Sequence, residues 1–278
     1  MSRRTLAMCS IIALALVFGT SMCSVRNNPR ELGDSNTFSP RQSIQTLVIS
    51  PQDAIREMLG QVSKERIVND LRRLSGEEPI CTSAGCYTAA NRQTGSEGLR
   101  WAMDYIYENL VSLGYSVEFR DWSRNGWSDR NLIARKVGVA APTEEIYLVA
   151  HVDGDKSDGE ERFPAADDDA SGAVDLLEVA RVASTYSFSR TLVLLFSTGE
   201  EHGALGAKSY LDQISAEELS RIGGAVSIDM VGYDANRDGV MELWSGDHPP
   251  SLAVTQMMSE TIRAYQLALA PEFITGCN

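Results

Sequence analysis

Hydrophobic residues recur at helical spacing in two stretches of the first half of the chain. In residues 51–76 they fall every three or four positions, and Gly76 ends the pattern. Residues 96–114 show the same spacing, with Gly114 as the stop. The sequence YSVEFRDW that follows alternates apolar and polar residues, and residues 131–138 are another short strand candidate. We therefore expect two helices followed by two strands.

Three further segments are almost continuously apolar, as expected of strands that are buried on both faces. They cover residues 145–150, 191–197 and 224–232. Helical patterns at 171–184 and 206–222 separate them. This alternation predicts an α/β fold with a mostly parallel sheet that helices cover on both sides.

The N-terminal residues have a different pattern and are not expected to belong to this fold. Two arginines precede an apolar run of thirteen residues, 6–18, and a short stretch of small residues follows. This is the order of regions in a secretory signal peptide, whereas a membrane-spanning helix needs about 20 apolar residues. We predict a signal peptide at 1–23, with a lipid anchor at Cys23 as the weaker alternative, and a polar linker at 24–44.

Composition and cysteine content limit the environment and the partners. The chain has 278 residues, 43% of them hydrophobic and 23% charged, as in ordinary globular proteins. A formal net charge of −13 argues against binding to nucleic acids or anionic membranes. In an exported chain, Cys81 and Cys86 favour a local disulfide over a zinc knuckle, which would need two more ligands nearby. Cys277 has no evident partner.

Acidic residues and one histidine stand where the predicted strands end. Because sites in open α/β sheets form outside the carboxyl ends of the strands, these side chains are expected to converge. One imidazole with several carboxylates and no thiolate suits zinc, manganese or cobalt better than calcium. The combined negative charge of the carboxylates exceeds the charge of one divalent ion. This excess favours a pair of ions that share a bridging carboxylate. The residues are His151, Asp153, one of Asp167, Asp168 and Asp169, then Glu200, Glu201 and Asp229.

The spacing of these residues indicates separate tasks for two pairs. Glu200 and Glu201 are adjacent and cannot easily face the same ion, so one can bind metal while the other accepts a proton. Asp153 lies two residues after His151, on the same side of an extended backbone, where a carboxylate can orient the imidazole.

Other acidic residues are predicted to have local structural roles. Asp169 is placed to cap the helix that starts at Ala170, and Asp167 has no evident task. Residues 234–239 match the first half of an EF-hand calcium loop, but Ser245 stands where the loop needs a bidentate glutamate. We therefore expect a polar turn there.

Four motifs occur in a fixed order: HVDG, PAADDDASGAVDLLEVARV, LVLLFSTGEEHGALGAKSYL and AVSIDMVGYD. Together they resemble metallopeptidase family twenty-eight, the co-catalytic zinc aminopeptidases of the bacterial leucyl type and their glutamate carboxypeptidase relatives. The resemblance covers roughly residues 60–235. It implies a three-layer α/β/α sandwich with a mixed, mostly parallel central sheet, and a zinc peptidase catalytic domain at 45–278.

The resemblance also implies a task for each site residue. Asp168 would lie between two zinc ions, Glu200 would be the general base and acid, and Asp153 would support His151. The implied reaction, in a monomeric enzyme, is hydrolysis of the N-terminal peptide bond of peptides through a metal-bridged water and Glu200. Alternatives on the same scaffold are a carboxypeptidase, a single-zinc glutaminyl cyclase and an incomplete remnant or binding module. The implied zinc ligands are His151, Asp168, Glu201 and Asp229.

One element of the family pattern is not evident in the sequence. The family has a further histidine ligand well downstream of the Asp229 position. His202 stands directly beside Glu201, and His248 follows Asp229 too soon. The resemblance therefore implies a chain that ends short of the complete site and is weak or inactive alone, or one that has lost its second metal.

Overall fold

The structure, a computed structural model, describes residues 52–155 and 162–276. The predicted signal peptide, the linker and Cys277 lie outside the described residues. Within the described part, every helix is too short or too polar to cross a membrane.

Two short helices replace the single helix that the pattern at 51–76 predicts. They are α1 (Asp53–Gly60) and α2 (Lys64–Leu74). The break falls at Ser63, whose side chain accepts a hydrogen bond from the backbone N–H of Arg66. The backbone N–H of Ser63 donates to Glu178 at 2.6 Å instead of to a carbonyl of α1. Because Ser63 caps α2 in this way, α1 cannot run through it.

A disulfide-closed hairpin connects α2 to the next helix. Strands β1 (Ile80–Thr82) and β2 (Gly85–Tyr87) pair antiparallel, and the expected disulfide joins Cys81 to Cys86. Helix α3 (Glu97–Ser112) follows and confirms the second predicted helix.

A mixed five-stranded sheet forms the centre of the molecule, as predicted. Its strands are β3 (Ser116–Arg124), β4 (Trp127–Lys136), β5 (Ala141–His151), β6 (Arg190–Ser197) and β7 (Ile222–Ser227). Their order in the sheet is β3-β4-β6-β5-β7, in which β5 pairs parallel with β6 and β7, and β4 pairs antiparallel with β3 and β6. The parallel strands are the nearly continuous apolar runs of the sequence. Strand β6 is buried as expected, but β7 lies at the edge of the sheet and its residues alternate between half-buried and exposed. The expectation that this third run is buried on both faces is therefore wrong.

Helices pack on both faces of the sheet and give three layers. Helix α4 (Ala170–Ala183) is almost wholly buried and joins α2 and α3 in the larger core. Helix α5 (Leu205–Gln213) places Tyr210 against the opposite face. The helix predicted at 206–222 is split, because Ser215 forms a capping box that starts α6 (Ala216–Arg221).

Strand β7 ends before Asp229, whereas the sequence places Asp229 inside a strand at 224–232. The backbone N–H groups of Met230, Val231 and Gly232 donate to side chains of the aspartate triplet and the first turn of α4. Met230 also has a positive φ of 51°. These N–H groups thus bond to side chains instead of to the backbone of a neighbouring strand, and Asp229 lies in a loop.

A smaller parallel pair lies beyond β7. Strand β8 (Val240–Ser245) pairs with β9 (Ala270–Thr275), and α7 (Pro249–Ala264) connects them. A cavity of about 1240 Å³ separates β7 from β8 and reaches Asp229. Residues 234–239, expected to form a polar turn, form an irregular loop with a bend at 235–236, and Asp238 accepts a hydrogen bond from Val240 N.

Candidate metal centre

The carboxyl ends of three parallel strands bring the predicted residues together. His151 is the last residue of β5, Glu200 and Glu201 follow β6, and Asp229 follows β7. The aspartate triplet reaches the same edge because it directly precedes α4. This is where the arrangement of an open α/β sheet places a site.

Among the residues that the structure describes, two groups of side chains could hold a metal ion, and both include His151. Within each group, the ligand atoms lie within 4.8 Å of one another. One group adds Asp168 and Glu201, and the other adds Asp169 and Asp229. His151 Nε2 lies 3.1 Å from Asp168 Oδ1 and 3.7 Å from Asp229 Oδ1. Imidazole and carboxylate donors at this spacing can hold a zinc ion.

The orientation of the His151 ring is the strongest sign that a cation belongs here. The side chain is only 3% exposed, and Nδ1 lies 3.1 Å from the backbone oxygen of Asp153. Since a carbonyl only accepts, Nδ1 carries a proton, and Nε2 is the ring nitrogen left to take up a second proton or a metal ion. Nε2 makes no hydrogen bond of suitable geometry and faces two carboxylates. A bare lone pair that faces two carboxylates is unfavourable, so Nε2 must bind a proton or a metal ion, and these residues fit a metal ion.

Asp153 contacts both His151 and the loop that carries Glu200 and Glu201. Its carboxylate is fully buried and lies 3.6 Å from His151 Nδ1. It accepts hydrogen bonds from Thr94 Oγ1 at 3.0 Å and from the backbone N–H groups of Glu200 and Glu201 at 3.2 and 3.4 Å. Burial alone would raise the pKa of Asp153, but the hydrogen bond and charge of His151 outweigh it and lower that pKa.

The aspartate triplet divides into three tasks. Asp169 is fully buried and caps α4 by accepting from Gly172 N at 2.8 Å, as predicted. It also accepts from the backbone N–H groups of His151 and Met230, each at 3.3 Å. Its oxygens are therefore committed to three segments of the site. Asp168, in contrast, has a side chain that is 46% exposed and faces His151 Nε2.

The sequence assigned no task to Asp167, but the structure gives it one. Asp167 Oδ1 accepts from Gly232 N at 2.7 Å. The hydroxyl of Ser171 donates to the backbone oxygen of Asp167 at 2.8 Å, with Oδ1 as a second acceptor at 3.3 Å. The same hydroxyl accepts from Val231 N. These bonds hold the loop that carries Asp229 against the start of α4.

Gly172 allows helix α4 to approach that loop. A Cβ at position 172 would lie 2.5 Å from the carbonyl oxygen of Ile228 and 2.5 Å from Asp169 Oδ1. Neither atom can move without disturbing the site, so a larger residue does not fit here.

Burial makes the negative charges of the site's carboxylates unfavourable when no cation is bound. It raises the pKa of Asp168, Asp169 and Glu200, and the charge of Asp229 raises each further. Burial and the charge of Asp168 raise the pKa of Glu201 to about 7. The site therefore favours bound protons or bound cations.

The pKa of His151 is also raised by its surroundings, which favours the positively charged form of the imidazole. Burial lowers the pKa of His151, but the neighbouring carboxylates of Asp153, Asp229 and Asp169 outweigh it and raise the value to about 11. A positive charge at this position is thus strongly favoured, whether a proton or a metal ion supplies it.

The other histidines that the structure describes lie outside both groups. His202 stacks on Trp127, with the ring centroids 3.7 Å apart. His248 is exposed and precedes α7.

Sequence reasoning missed the segment behind the site. Thr94 supports Asp153, and Arg92 is 1% exposed and hydrogen bonds to the loops on either side. Both residues belong to the polar stretch NRQTGS, which has no hydrophobic period. The only signal in the sequence was that Arg92 and Thr94 closely precede Ser96, the cap of α3. Such a pattern is too common to predict a site.

Solved structures support the fold. The LapA aminopeptidase of Legionella pneumophila matches with a TM-score of 0.63 at 17% identity, over 87% of this chain and 62% of that chain. A glutaminyl cyclase of Macrostomum lignano matches with a TM-score of 0.60 at 18% identity, over 84% of this chain and 77% of that chain. At such identities the likeness concerns the fold alone.

Curated relatives match parts of the chain. Leupeptin-inactivating enzyme 1 of Streptomyces exfoliatus is 28% identical over 144 residues, which are 51% of this chain and 32% of the relative. A probable zinc metalloprotease of Pyrenophora teres f. teres is 26% identical over 206 residues, 68% of this chain and 41% of the relative. The chain thus spans about a third to two fifths of the length of these relatives.

The family model named peptidase family M28 matches residues 131–275, which run from β4 to the end of β9 and include every predicted site residue. The match covers more than half of the chain, and it agrees with the family that the four sequence motifs indicated. The chain belongs to peptidase family M28.

Proposed function

We propose that this protein is a zinc-dependent exopeptidase that hydrolyses the N-terminal peptide bond of peptides with a free N-terminus. Family membership and the zinc metalloprotease among its relatives support the class of reaction. The observation that carries the proposal is His151 Nε2, a buried ring nitrogen that makes no hydrogen bond of suitable geometry and faces the carboxylates of Asp168 and Asp229.

The proposed zinc ligands are those that the geometry leaves free for a cation. Asp168 faces His151 Nε2 and groups with Glu201. Asp169 is not proposed as a ligand, because its oxygens already accept three backbone N–H groups. The proposed ligands are His151, Asp168, Glu201 and Asp229.

Two zinc ions would account best for the charge of the site, and Asp168 would take part in holding both. Asp168, Glu201 and Asp229 alone exceed the charge of one divalent ion. Bound zinc would polarise the scissile carbonyl and lower the pKa of a water molecule.

Glu200 is proposed to move the proton. Its backbone is fixed at both ends, because its N–H donates to Asp153 and its carbonyl oxygen accepts from Gly203 N and Ala204 N at 2.7 Å. Burial raises the pKa of its carboxyl, which brings it closer to the range in which a group both takes and returns a proton. Glu200 would take a proton from the attacking water and return it to the leaving amine.

Asp153 is proposed to support both partners of this step. Its carboxylate fixes the backbone of Glu200 and Glu201, and its backbone oxygen fixes the His151 ring. It therefore acts through these residues and not on the substrate.

A single-zinc glutaminyl cyclase is the second candidate. The specific observation in its favour is that both groups of ligand atoms share one histidine, His151. An imidazole nitrogen binds one ion, so the described residues are also compatible with one zinc.

The test loads the 278-residue chain with zinc and measures zinc per chain beside three reactions. Leucyl-p-nitroanilide, its N-acetyl derivative and a peptide that begins with glutamine serve as substrates. We expect two zinc ions and slow release of p-nitroaniline from the free amine only, lost with a chelator. Cleavage of the blocked substrate, or one zinc with loss of ammonia from the glutamine peptide, would contradict the aminopeptidase proposal.

The cellular location rests on the sequence. We propose that residues 1–23 direct export, that 24–44 form a linker, and that the catalytic domain occupies 45–278. The Cys81–Cys86 disulfide supports an oxidising compartment. N-terminal sequencing of the exported protein tests this proposal, and an intact Met1 in the exported fraction would contradict it.

A further inference from the structure

Arg92 is a buried cation that the proposed reaction does not use. It is 1% exposed and heads the fully buried side chains ranked by volume. Its guanidinium donates to four backbone carbonyl oxygens of the described residues, and three of these bonds have lengths of 2.8–2.9 Å. A buried arginine is costly unless its donors are satisfied in this way.

The four carbonyls belong to three separate segments that meet behind the metal centre. Nε donates to Val152, the residue after His151. Nη1 donates to Leu74, the last residue of α2, and to Pro164, while Nη2 donates to Ala165. Pro164 and Ala165 open the turn that leads to Asp168. One side chain therefore joins the end of β5 to the loop that carries the central aspartate.

The backbone around Arg92 strengthens the same connection. Gly154 N donates to the carbonyl oxygen of Arg92 at 3.1 Å, and Phe163 N donates to that of Ala90 at 3.1 Å. The two loops are in contact, since a Cβ at Gly154 would collide with Ala165. The distance between His151 and Asp168 thus depends on how Arg92 holds these loops.

The charges also favour arginine here. Burial lowers the pKa of Arg92, the nearby charges of Asp169 and Asp153 raise it, and the result is about 10. The side chain stays cationic at neutral pH and offsets part of the negative charge of the site from within the protein. The carbonyl of Leu74, at the C-terminal end of α2, is also a favourable place for a cation.

We propose that Arg92 is a positioning residue for the metal centre. The hydrogen bonds of its guanidinium set the separation of His151 and Asp168, so zinc affinity depends on these bonds and not only on the positive charge of Arg92. The proposal rests on the proposed zinc site. Lysine keeps the charge, but its single ammonium cannot reach carbonyls on three segments in the fixed planar geometry of arginine. The variant Arg92→Lys therefore separates position from charge.

The experiment measures zinc affinity of the full chain by competition with a chelator, and the visible spectrum of the cobalt-loaded protein. Arg162→Lys is the matched control, because Arg162 is exposed and donates to the single carbonyl of Gly76 beside the same loop. Loss of a supporting residue of a metal site typically costs 10–100-fold in affinity. We expect Arg92→Lys to weaken zinc binding at least about tenfold and to alter the cobalt spectrum, with Arg162→Lys within about twofold of wild type.

A second measurement separates positioning from general stability. The rise in melting temperature on adding zinc should shrink in Arg92→Lys, whereas a residue that only stabilises the fold would lower the apo and zinc-loaded values equally. Zinc affinity, zinc-induced shift and cobalt spectrum like those of wild type would overturn the proposal. So would an Arg92→Lys chain that fails to fold even with zinc, because Arg92 would then be a folding residue. A wild-type chain that binds no zinc would instead refute the proposed function itself.

Discussion

Replacing Asp169 by asparagine tests how the site is assembled without changing the shape of the side chain. Asp169 Oδ1 accepts from Gly172 N and Met230 N, and Oδ2 accepts from His151 N. An amide has one oxygen, so its NH₂ group must face a backbone N–H. The oxygen can keep the cap of α4, since asparagine caps helices as well as aspartate. The bond to His151 N is then lost.

The expected cost follows from that one lost acceptor. His151 and Asp169 are both buried, so the N–H of His151 finds no water in exchange. Leaving a buried donor unsatisfied costs about 1–3 kcal/mol. At about 2–4 °C per kcal/mol for a domain of this size, the melting temperature should fall by roughly 2–12 °C.

Asp167→Asn is the matched control, because it makes the same change two residues earlier. Asp167 uses only Oδ1, which accepts from Gly232 N and the Ser171 hydroxyl, so an amide oxygen can replace it. We expect this variant to cost less than about 0.5 kcal/mol. The assay is urea unfolding followed by circular dichroism in the presence of chelator. Equal costs for the two variants, or a neutral Asp169→Asn, would refute the hydrogen-bond account of the triplet.

Three further predictions concern packing and pH. Gly172→Ala should lower the free energy of unfolding by about 1–2 kcal/mol, because the new Cβ would lie 2.5 Å from Ile228 O. This figure already includes the gain in helix propensity from glycine to alanine. Urea unfolding measures the change, and a stabilised variant would contradict the prediction. The metal-free protein should lose stability as pH rises from about 4.5 to 7, because folded Glu201 keeps its proton to a pKa of about 7 while the unfolded chain releases it near 4.5. Zinc affinity should rise over the same range, since that proton must leave before zinc binds. Urea midpoints and chelator competition at pH 5 and 7.5 check both trends, and affinity that falls with pH would refute them.

The convergence of the site could be predicted because it follows from topology. Apolar runs marked the three parallel strands, although the edge strand β7 is not buried, and a parallel sheet places their carboxyl ends at one edge. His151, Glu200 and Glu201 directly follow such runs, so their meeting needed no knowledge of side-chain contacts. The cap by Asp169 was equally local, since it depends only on the start of α4.

The rest depends on contacts between distant parts of the chain. The pattern at 51–76 is periodic throughout, and the break between α1 and α2 is fixed by a bond from Ser63 to Glu178. The end of β7 is set by acceptors from Asp167, Asp169 and Ser171, about sixty residues earlier. Local periodicity carries no information on such bonds.

Arg92 shows the same limit most clearly. Its partners lie up to 73 positions away in sequence, and it stands in a polar segment that reads as an ordinary loop. Only the fold shows that this segment supports the metal centre.

The division of labour between the adjacent glutamates is the central claim, and the zinc content of two variants tests it most directly. Glu201 groups with His151 and Asp168, whereas Glu200 belongs to neither group of ligand atoms. Zinc per chain is measured by mass spectrometry for Glu200→Gln and Glu201→Gln at equal protein concentration. We predict that Glu200→Gln retains the zinc content of wild type and that Glu201→Gln loses zinc. Loss of zinc in Glu200→Gln with full retention in Glu201→Gln would contradict the assignment.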